Sequence, residues 1–157
     1  RSARAGGISV EPVVAKITEQ FKAVHNELRK EVRGMDTESL NWKPAPETNS
    51  IAVLVVHTLG SEAEVYRIVA NVPSDRDREA EFKVAESEAE LLAHLDAADT
   101  LINDLAAQIT AQDLEAARPR RQNPPETGLH WLVTNYGHAR EHLAHIQLTK
   151  QLLAARS

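Results

Sequence analysis

The sequence predicts an all-α four-helix bundle that forms a single domain over residues 1–157. In four separate segments, apolar residues recur at intervals of three and four, which is the spacing of one face of an α-helix. Each segment is roughly 20 residues long, close to the 30 Å span of a small domain. No segment has the alternation of apolar and polar residues that is typical of a half-buried strand, so we expect no strand.

The first helix is predicted from Val14 to Val32, whose apolar residues share one face. Gly34 is a typical stop after a helix. The polar residues 1–8 are predicted to be a flexible N-terminal segment. After the helix, residues 35–50 contain two prolines and are predicted to be a long connection, with one short turn near residues 37–40.

The second helix begins with an ambiguous run, Ile51–Val56, which is apolar and β-branched and also fits a buried strand. Length favours a helix, because the apolar spacing continues without a breaker until Pro73, too far for a strand. Asn49 or Ser50 is predicted to cap this helix.

The third helix follows residues 74–86, which are dense in charged residues and are predicted to be an exposed connection. Ser87 and Glu90 have the spacing of a capping box. Apolar residues then recur from Leu91 to Ile109, which predicts the third helix.

The fourth helix is predicted to begin after residues 113–126, whose three prolines cannot continue a helix. Thr127 is predicted to cap it, and it extends almost to the C-terminus. Because about 15 residues can extend to about 50 Å, the connections of residues 74–86 and 113–126 could each cross the bundle. The topology of the bundle therefore stays open.

The composition excludes several classes of function. The formal net charge is −5, and Arg118, Arg120 and Arg121 form the only dense basic run, which we interpret as a solvated loop. General nucleic-acid binding is not expected. The sequence has no cysteine, which excludes disulfides, a cysteine-ligated zinc site and a cysteine nucleophile. No apolar stretch is long enough to span a membrane, and we predict a cytoplasmic protein.

Histidines in the fourth helix indicate a metal site. His138 and His142 are four residues apart, so both rings lie on one face about 6 Å apart and could bind one divalent cation. His145 shares the face but lies about 10 Å along the axis from His138, too far for the three to bind one ion. The best third donor is His57, on the apolar face of the second helix. Three histidines leave a fourth position open, as catalytic sites do.

Simpler interpretations of these residues remain open. His57 alone would fit a hydrogen-bonded core histidine, and the pair on the fourth helix could lie on a solvated face. The other four histidines have weaker indications. We expect His25 and His94 at the surface, His130 in packing or in solvent, and His145 near the site, in the core or at the surface.

Two stretches carry a resemblance to a known family. Asn41–Pro46 leads through Asn49–Ile51 to the apolar turn that ends in His57, and this resembles the first motif of the DinB/YfiT-like superfamily. The stretch His138–Leu152 resembles the final helix of that family, in which a His-x-x-x-His pair precedes a Gln-containing apolar turn. The resemblance spans nearly the whole chain.

The resemblance implies a four-helix bundle of the DinB/YfiT-like type, commonly a homodimer, that binds a divalent metal such as nickel or zinc. By position the metal ligands would be His57, His138 and His142, the same three that the spacing favours. Glu64 is seven residues after His57, on nearly the same face. It is either an acid that reaches the site through water or a histidine nitrogen, or an exposed acid.

The function that we expect is that of a metal-dependent transferase or hydrolase acting on a small-molecule substrate. Water or a low-molecular-weight thiol would be the nucleophile, and the lack of cysteine fits a thiol that is a co-substrate. The alternatives are a non-catalytic metal-binding or stress-response protein, or a dimeric scaffold whose histidines are structural. The sequence identifies no catalytic residue and no further cofactor.

Overall fold

The structure, a computed structural model, describes residues 9–156, so the predicted flexible segment of residues 1–8 lies outside the described residues. The elements are α1 Pro12–Val32, α2 Thr37–Asn41, α3 Ile51–Val69, α4 Arg78–Glu81, α5 Glu88–Ala106, α6 Ala111–Glu115, β1 Ala117–Arg120, β2 Asn123–Thr127 and α7 Gly128–Ala155. The long helices α1, α3, α5 and α7 form a four-helix bundle, which confirms the predicted fold class.

The predicted starts of α3, α5 and α7 are confirmed by their local chemistry, whereas α5 ends at Ala106, three residues before the predicted Ile109. The side chains of Ser50 and Thr127 accept hydrogen bonds from the first turns of α3 and α7, and Ser87 and Glu90 form the expected capping box of α5. Gly34 follows α1 with a φ of 77°, a left-handed conformation that glycine adopts at little cost.

The β-branched run at the start of α3 is helical, as its length predicted. Residues 51–55 are all buried, and α3 packs against α4, α5, α7 and β1. A helix that is surrounded by other elements can be apolar on every side. This surrounding explains why the run lacks the polar face by which a helix is usually recognised in a sequence.

Helices α1 and α3 lie diagonally opposite each other, because both pack against α5 and α7. Their side chains still meet at the centre of the bundle, where Thr18 Oγ1 and Tyr66 OH are 2.7 Å apart and His25 Nε2 is 2.8 Å from Glu62 Oε1. The earlier α1 residue, Thr18, contacts the later α3 residue, Tyr66, so the two helices are antiparallel.

The connection of residues 70–87 runs the length of the bundle. Lys22 and Arg29 of α1 bond to Asn103 and Asp96 of α5, so α5 is also antiparallel to α1 and hence parallel to α3. Parallel neighbours require the chain to return from the end of α3 to the opposite end of the bundle. This is one of the two long connections that the sequence left free to cross.

The connection of residues 107–127 stays at one end of the bundle. Ser61 of α3 bonds to Asn135 of α7, while His57 contacts His142, so α7 is antiparallel to α3 and to α5. The chain therefore leaves α5 and enters α7 at the same end. It crosses there between two helices that are diagonally opposite.

An antiparallel hairpin of β1 and β2 lies in that connection, and the expectation of no strand was wrong here. Ala117 pairs with Thr127, and Arg121 in the turn has a φ of 55°. The hairpin is attached to the bundle by Trp131, whose Nε1 donates a 2.9 Å hydrogen bond to the carbonyl of Arg118. Proline-rich strands with exposed faces lack the alternating pattern that would have predicted them.

Among the described residues, no helix is both long enough and apolar enough to span a membrane.

Candidate metal centre

Three histidines from two helices come together where α3 packs against α7. His57 lies in the second turn of α3, while His138 and His142 lie one turn apart on α7. Their ring centroids are 4.3 to 5.3 Å apart. One nitrogen of each ring lies within 4.8 Å of the other two. The structure thus brings together the three histidines that spacing and resemblance selected.

The facing nitrogens of His138 and His142 fit a bound cation. Their Nε2 atoms are 2.9 Å apart. Two nitrogens bound to one tetrahedral ion lie about 3.3 Å apart, only a few tenths of an ångström more. Three imidazoles without a thiolate form a donor set that suits zinc, nickel, copper or iron.

The ring of His57 is oriented by Glu81, in α4. Nδ1 of His57 donates a 3.0 Å hydrogen bond to Oε1 of Glu81, which leaves the lone pair on Nε2 free for a metal. The Glu81 side chain is only 8% exposed and packs against Gly60. A Cβ at Gly60 would lie 2.0 Å from Glu81 Oε2, so a side chain here would displace the carboxylate from its bonds to His57 and Arg76.

Arg76 holds Glu81 in place and is itself 7% exposed. Its Nε and Nη2 donate to the two carboxylate oxygens of Glu81 at 2.8 and 2.7 Å, and its Nη1 donates to Glu64. The expectation that residues 74–86 form an exposed connection was therefore wrong for these two charged residues. Each is buried because it is paired with an opposite charge.

All three histidines of the cluster favour the neutral form. Burial, followed by the charges of neighbouring groups, lowers the pKa of His138 to about 4. Burial and the charges of three neighbouring imidazoles, those of His138, His57 and His145, lower the pKa of His142 to about 4 as well. Burial also lowers the pKa of His57, although Glu81 opposes that shift. Metal ligation requires unprotonated imidazole, so protons compete weakly for this site at neutral pH.

Glu64 is not the exposed acid that was one of the two alternatives, and it makes no direct bond to a histidine among the described residues. Its side chain is 11% exposed and is shared by three arginines, with Arg76 donating to Oε2, Arg120 3.4 Å from Oε2 and Arg121 3.4 Å from Oε1. Burial raises the pKa of Glu64, but the arginines outweigh it and hold the pKa below its ordinary value. The interpretation of Arg118, Arg120 and Arg121 as a solvated loop was wrong for Arg118 and Arg120, which lie in β1 with side chains 23% and 17% exposed.

A cavity of about 370 Å³ opens beside the histidines. We call it the arginine cavity, because Arg76, Arg78, Arg120 and Arg121 line it together with His57 and His138 and with polar side chains of α3, β2 and α7. Two of the three histidines of the cluster therefore form part of its wall. The cavity could not be predicted from the sequence, since its arginines come from two separate connections that only the fold brings together.

The remaining histidines of α5 and α7 are exposed. His145 Nδ1 lies 3.3 Å from His142 Nδ1, so His145 contacts the cluster from the solvent side. His94 is exposed, as predicted. His130 is also exposed, and its ring packs edge-on against Trp131 with centroids 5.2 Å apart.

The prediction that His25 lies at the surface was wrong, since its side chain is 0% exposed. Nδ1 lies 2.7 Å from Asp99, and Nε2 lies 2.8 Å from Glu62. Burial lowers the pKa of His25, but the two carboxylates outweigh it and raise the pKa above its ordinary value. The polar neighbours of His25 in the sequence face solvent, whereas His25 itself faces the centre of the bundle.

The fold and the histidine cluster define a four-helix-bundle protein with a candidate metal centre. The family model of the DinB superfamily matches residues 20–146, and the chain belongs to this superfamily. The resemblance found in the sequence is confirmed. No protein with curated annotation matches the chain.

Solved structures share the fold at low sequence identity. A conserved protein from Enterococcus faecalis is 19% identical with a TM-score of 0.76, over 92% of this chain and 98% of that chain. A DinB-like protein from Bacillus cereus is 14% identical with a TM-score of 0.71, over 87% and 90%. YfiT from Bacillus subtilis, described as a probable metal-dependent hydrolase with an unusual four-helix bundle topology, is 17% identical with a TM-score of 0.67, over 96% and 92%.

Proposed function

We propose that His57, His138 and His142 hold one divalent metal ion and that the chain is a metal-dependent hydrolase or transferase acting on a small molecule. The observation that carries the proposal is the approach of three imidazole nitrogens from two helices to within 4.8 Å of one another. The proposal of a hydrolase is also supported by the similarity to YfiT, which is described as a probable metal-dependent hydrolase.

The residues around the cluster support a metal rather than a structural role for the rings. Glu81 accepts the Nδ1 proton of His57, an arrangement that orients metal-bound histidines in many proteins. The chain offers three ligands and an adjacent cavity, and such an open position is typical of catalytic sites. Nickel and zinc are the ions that we propose, as the family resemblance implies, although three imidazoles also suit copper and iron.

A divalent ion held there would polarise an electrophilic substrate and lower the pKa of a water molecule or thiol that attacks it. The chain itself has no cysteine, so a thiol nucleophile would have to come from a low-molecular-weight co-substrate. The role of Glu81 and Arg76 is to position His57 and to exclude water from its Nδ1 side, where both side chains are less than one tenth exposed.

The first experiment is elemental analysis of tag-free protein by inductively coupled plasma mass spectrometry. We expect about one nickel or zinc ion per chain, lost in the double variant His57→Ala/His138→Ala. The matched control is His94→Ala/His130→Ala, which removes two exposed histidines outside the cluster and should keep the ion. Absence of nickel, zinc, iron and copper from the wild-type protein, even after incubation with each, would overturn the metal site.

The second experiment measures turnover of small esters and small electrophiles, with water alone and with bacillithiol, mycothiol or glutathione. We expect metal-dependent turnover that the metal-stripped protein lacks. If the protein holds metal and no combination exceeds the stripped control, the chain is a non-catalytic metal-binding protein instead.

We also propose a homodimer, as the family resemblance implies. The outer face of α7 exposes Leu129 and Val133 near one end and Leu148 and Leu152 near the other, each pair one turn apart. Multi-angle light scattering should give twice the chain mass of 17.3 kDa. A mass equal to that of one chain would contradict this. The cytoplasmic location stays a prediction.

A further inference from the structure

We propose that the arginine cavity binds the anionic group, a carboxylate or a phosphate, of a small-molecule ligand. This inference deepens the proposed function, because it names the class of substrate that would reach the histidine cluster. The binding of the anion itself does not require a metal.

Positive charge in the cavity exceeds the negative charge available to it. Four arginines line it, and no Asp or Glu is among the described residues that do so. Behind them lie two carboxylates, of which Glu81 is paired with Arg76 and Glu64 is shared by three guanidinium groups. Arg78 and Arg121 are each 43% exposed, and Arg78 lies 3.7 Å from the exposed carboxylate of Glu79, so four guanidinium groups share three carboxylates in a chain whose formal net charge is −5.

Hydrogen-bond donors in the cavity are also in surplus. Nε of Arg120 is buried and has no partner within residues 9–156. Ser61 Oγ accepts two bonds of 2.9 Å, from Arg120 and from Asn135, so its own proton has no acceptor among the described residues. Spare donors beside guanidinium groups that share too few carboxylates favour an acceptor that carries negative charge.

The amide of Asn135 does not change this conclusion. Asn135 is 2% exposed, and its Oδ1 is buried without a partner among residues 9–156. Reversing the amide lets Oδ1 accept the Ser61 proton and leaves the NH₂ group free instead. In either orientation one N–H or O–H donor is left for a ligand.

The shape of the site indicates a small ligand. The cavity volume of about 370 Å³ is in the range of small-molecule pockets and is far too small for a folded partner. His57 and His138 form part of its wall, so a ligand held by its anionic end on the arginines would present its other end to the histidine cluster. Guanidinium groups bind carboxylate and phosphate alike, and the experiment must separate the two.

The test is isothermal titration of the full chain with inorganic phosphate, with succinate and with succinamide, the uncharged analogue of succinate. Each titration is performed on the metal-loaded protein and on the protein after chelation. We expect at least one anion to bind in both forms and succinamide to bind in neither. The anion that binds more tightly identifies the preferred group.

The variant Arg78→Gln/Arg121→Gln removes the two half-exposed charges of the cavity without touching a histidine. We expect it to weaken anion binding about tenfold or more. The control Arg33→Gln/Arg140→Gln makes the same change in net charge at exposed sites away from the cavity, and should stay within about twofold of wild type.

Absence of binding by both anions up to about 10 mM would overturn the inference, as would equal losses in the two double variants. Metal content is measured separately, so the two proposals can fail independently. Anion binding without any metal uptake would support this inference and contradict the proposed function. Metal uptake without anion binding would contradict this inference and leave the proposed function standing.

Discussion

His57 donates its Nδ1 proton to Glu81, a residue 24 positions away in a different helix, at a distance of 3.0 Å. Because the carboxylate is fixed by Arg76 and by close contact with Gly60, the hydrogen bond selects one orientation of the imidazole. The other ring nitrogen, Nε2, is then the one left free for the ligand set proposed with His138 and His142. We expect this bond to orient His57 for the proposed metal, and two variants test it.

Replacing Glu81 with Gln should weaken metal binding by about 10- to 100-fold, the usual effect of losing the group behind a metal-bound histidine. The amide lacks the charge that holds both the His57 proton and Arg76. Competition with a chromogenic chelator measures the affinity. Glu79→Gln is the matched control, since Glu79 lies in the same short helix and is 80% exposed. Equal affinities in the two variants would show that Glu81 does not support the site.

Replacing Gly60 with Ala should weaken metal binding without altering any polar group. The new Cβ would occupy the position of the Glu81 carboxylate and displace it from His57. Gly137→Ala is the control, because a Cβ there meets no atom within 4 Å. That variant should keep the metal and gain about 0.5 to 1 kcal/mol in stability, as expected for Gly replaced within a helix. Unchanged affinity in Gly60→Ala would contradict the role given to this contact.

The metal-free protein should lose stability as the pH falls from 6.5 towards 4. The pKa values of His138 and His142 are about 4 in the folded chain and about 6.5 when unfolded. Within this window the unfolded state binds protons that the folded state does not, so the free energy of unfolding falls as the pH falls. Urea titrations at several pH values measure the slope.

The variant His138→Asn/His142→Asn separates this effect from the titration of carboxylates, which is common to both proteins. It should show a shallower decline of stability between pH 6.5 and 4 than the wild type. Parallel declines in the two proteins would contradict the lowered pKa values.

Replacing His25 with Ala should cost about 3 to 5 kcal/mol, because Glu62 would be left buried without its partner. Urea unfolding followed by circular dichroism measures the loss. His94→Ala, at an exposed site, should change the stability by no more than about 0.5 kcal/mol. If the variant His25→Ala/Glu62→Ala loses as much as the sum of the two single variants, the two residues are not coupled.

The fold class and most helix ends could be predicted because they depend on neighbours in the sequence. Ser50, Thr127 and the Ser87–Glu90 pair cap helices through groups three residues away, and the chain makes those contacts whatever the rest of it does. The pair His138 and His142 was predictable for the same reason, since a helix fixes the geometry of residues four apart.

The partners of charged side chains could not be predicted in this way. Arg76 and Glu81 look like surface residues in the sequence, and they are buried only because the connection after α3 folds back along the bundle and pairs them. His25 is buried for a similar reason, since its two carboxylates come from different helices. The β hairpin likewise depends on contact with α7.

The sequence by itself determined four amphipathic helices, their caps, and the two histidines that one turn of α7 places together. Only the tertiary structure decided that α3 and α5 run parallel, that Glu81 reaches His57, and that four arginines from two connections share one cavity. The physical reason is the distance along the chain over which the interactions act. Hydrogen bonds and apolar spacing within a helix act over three or four residues, whereas charge pairing and burial depend on which distant segments the packed bundle brings into contact.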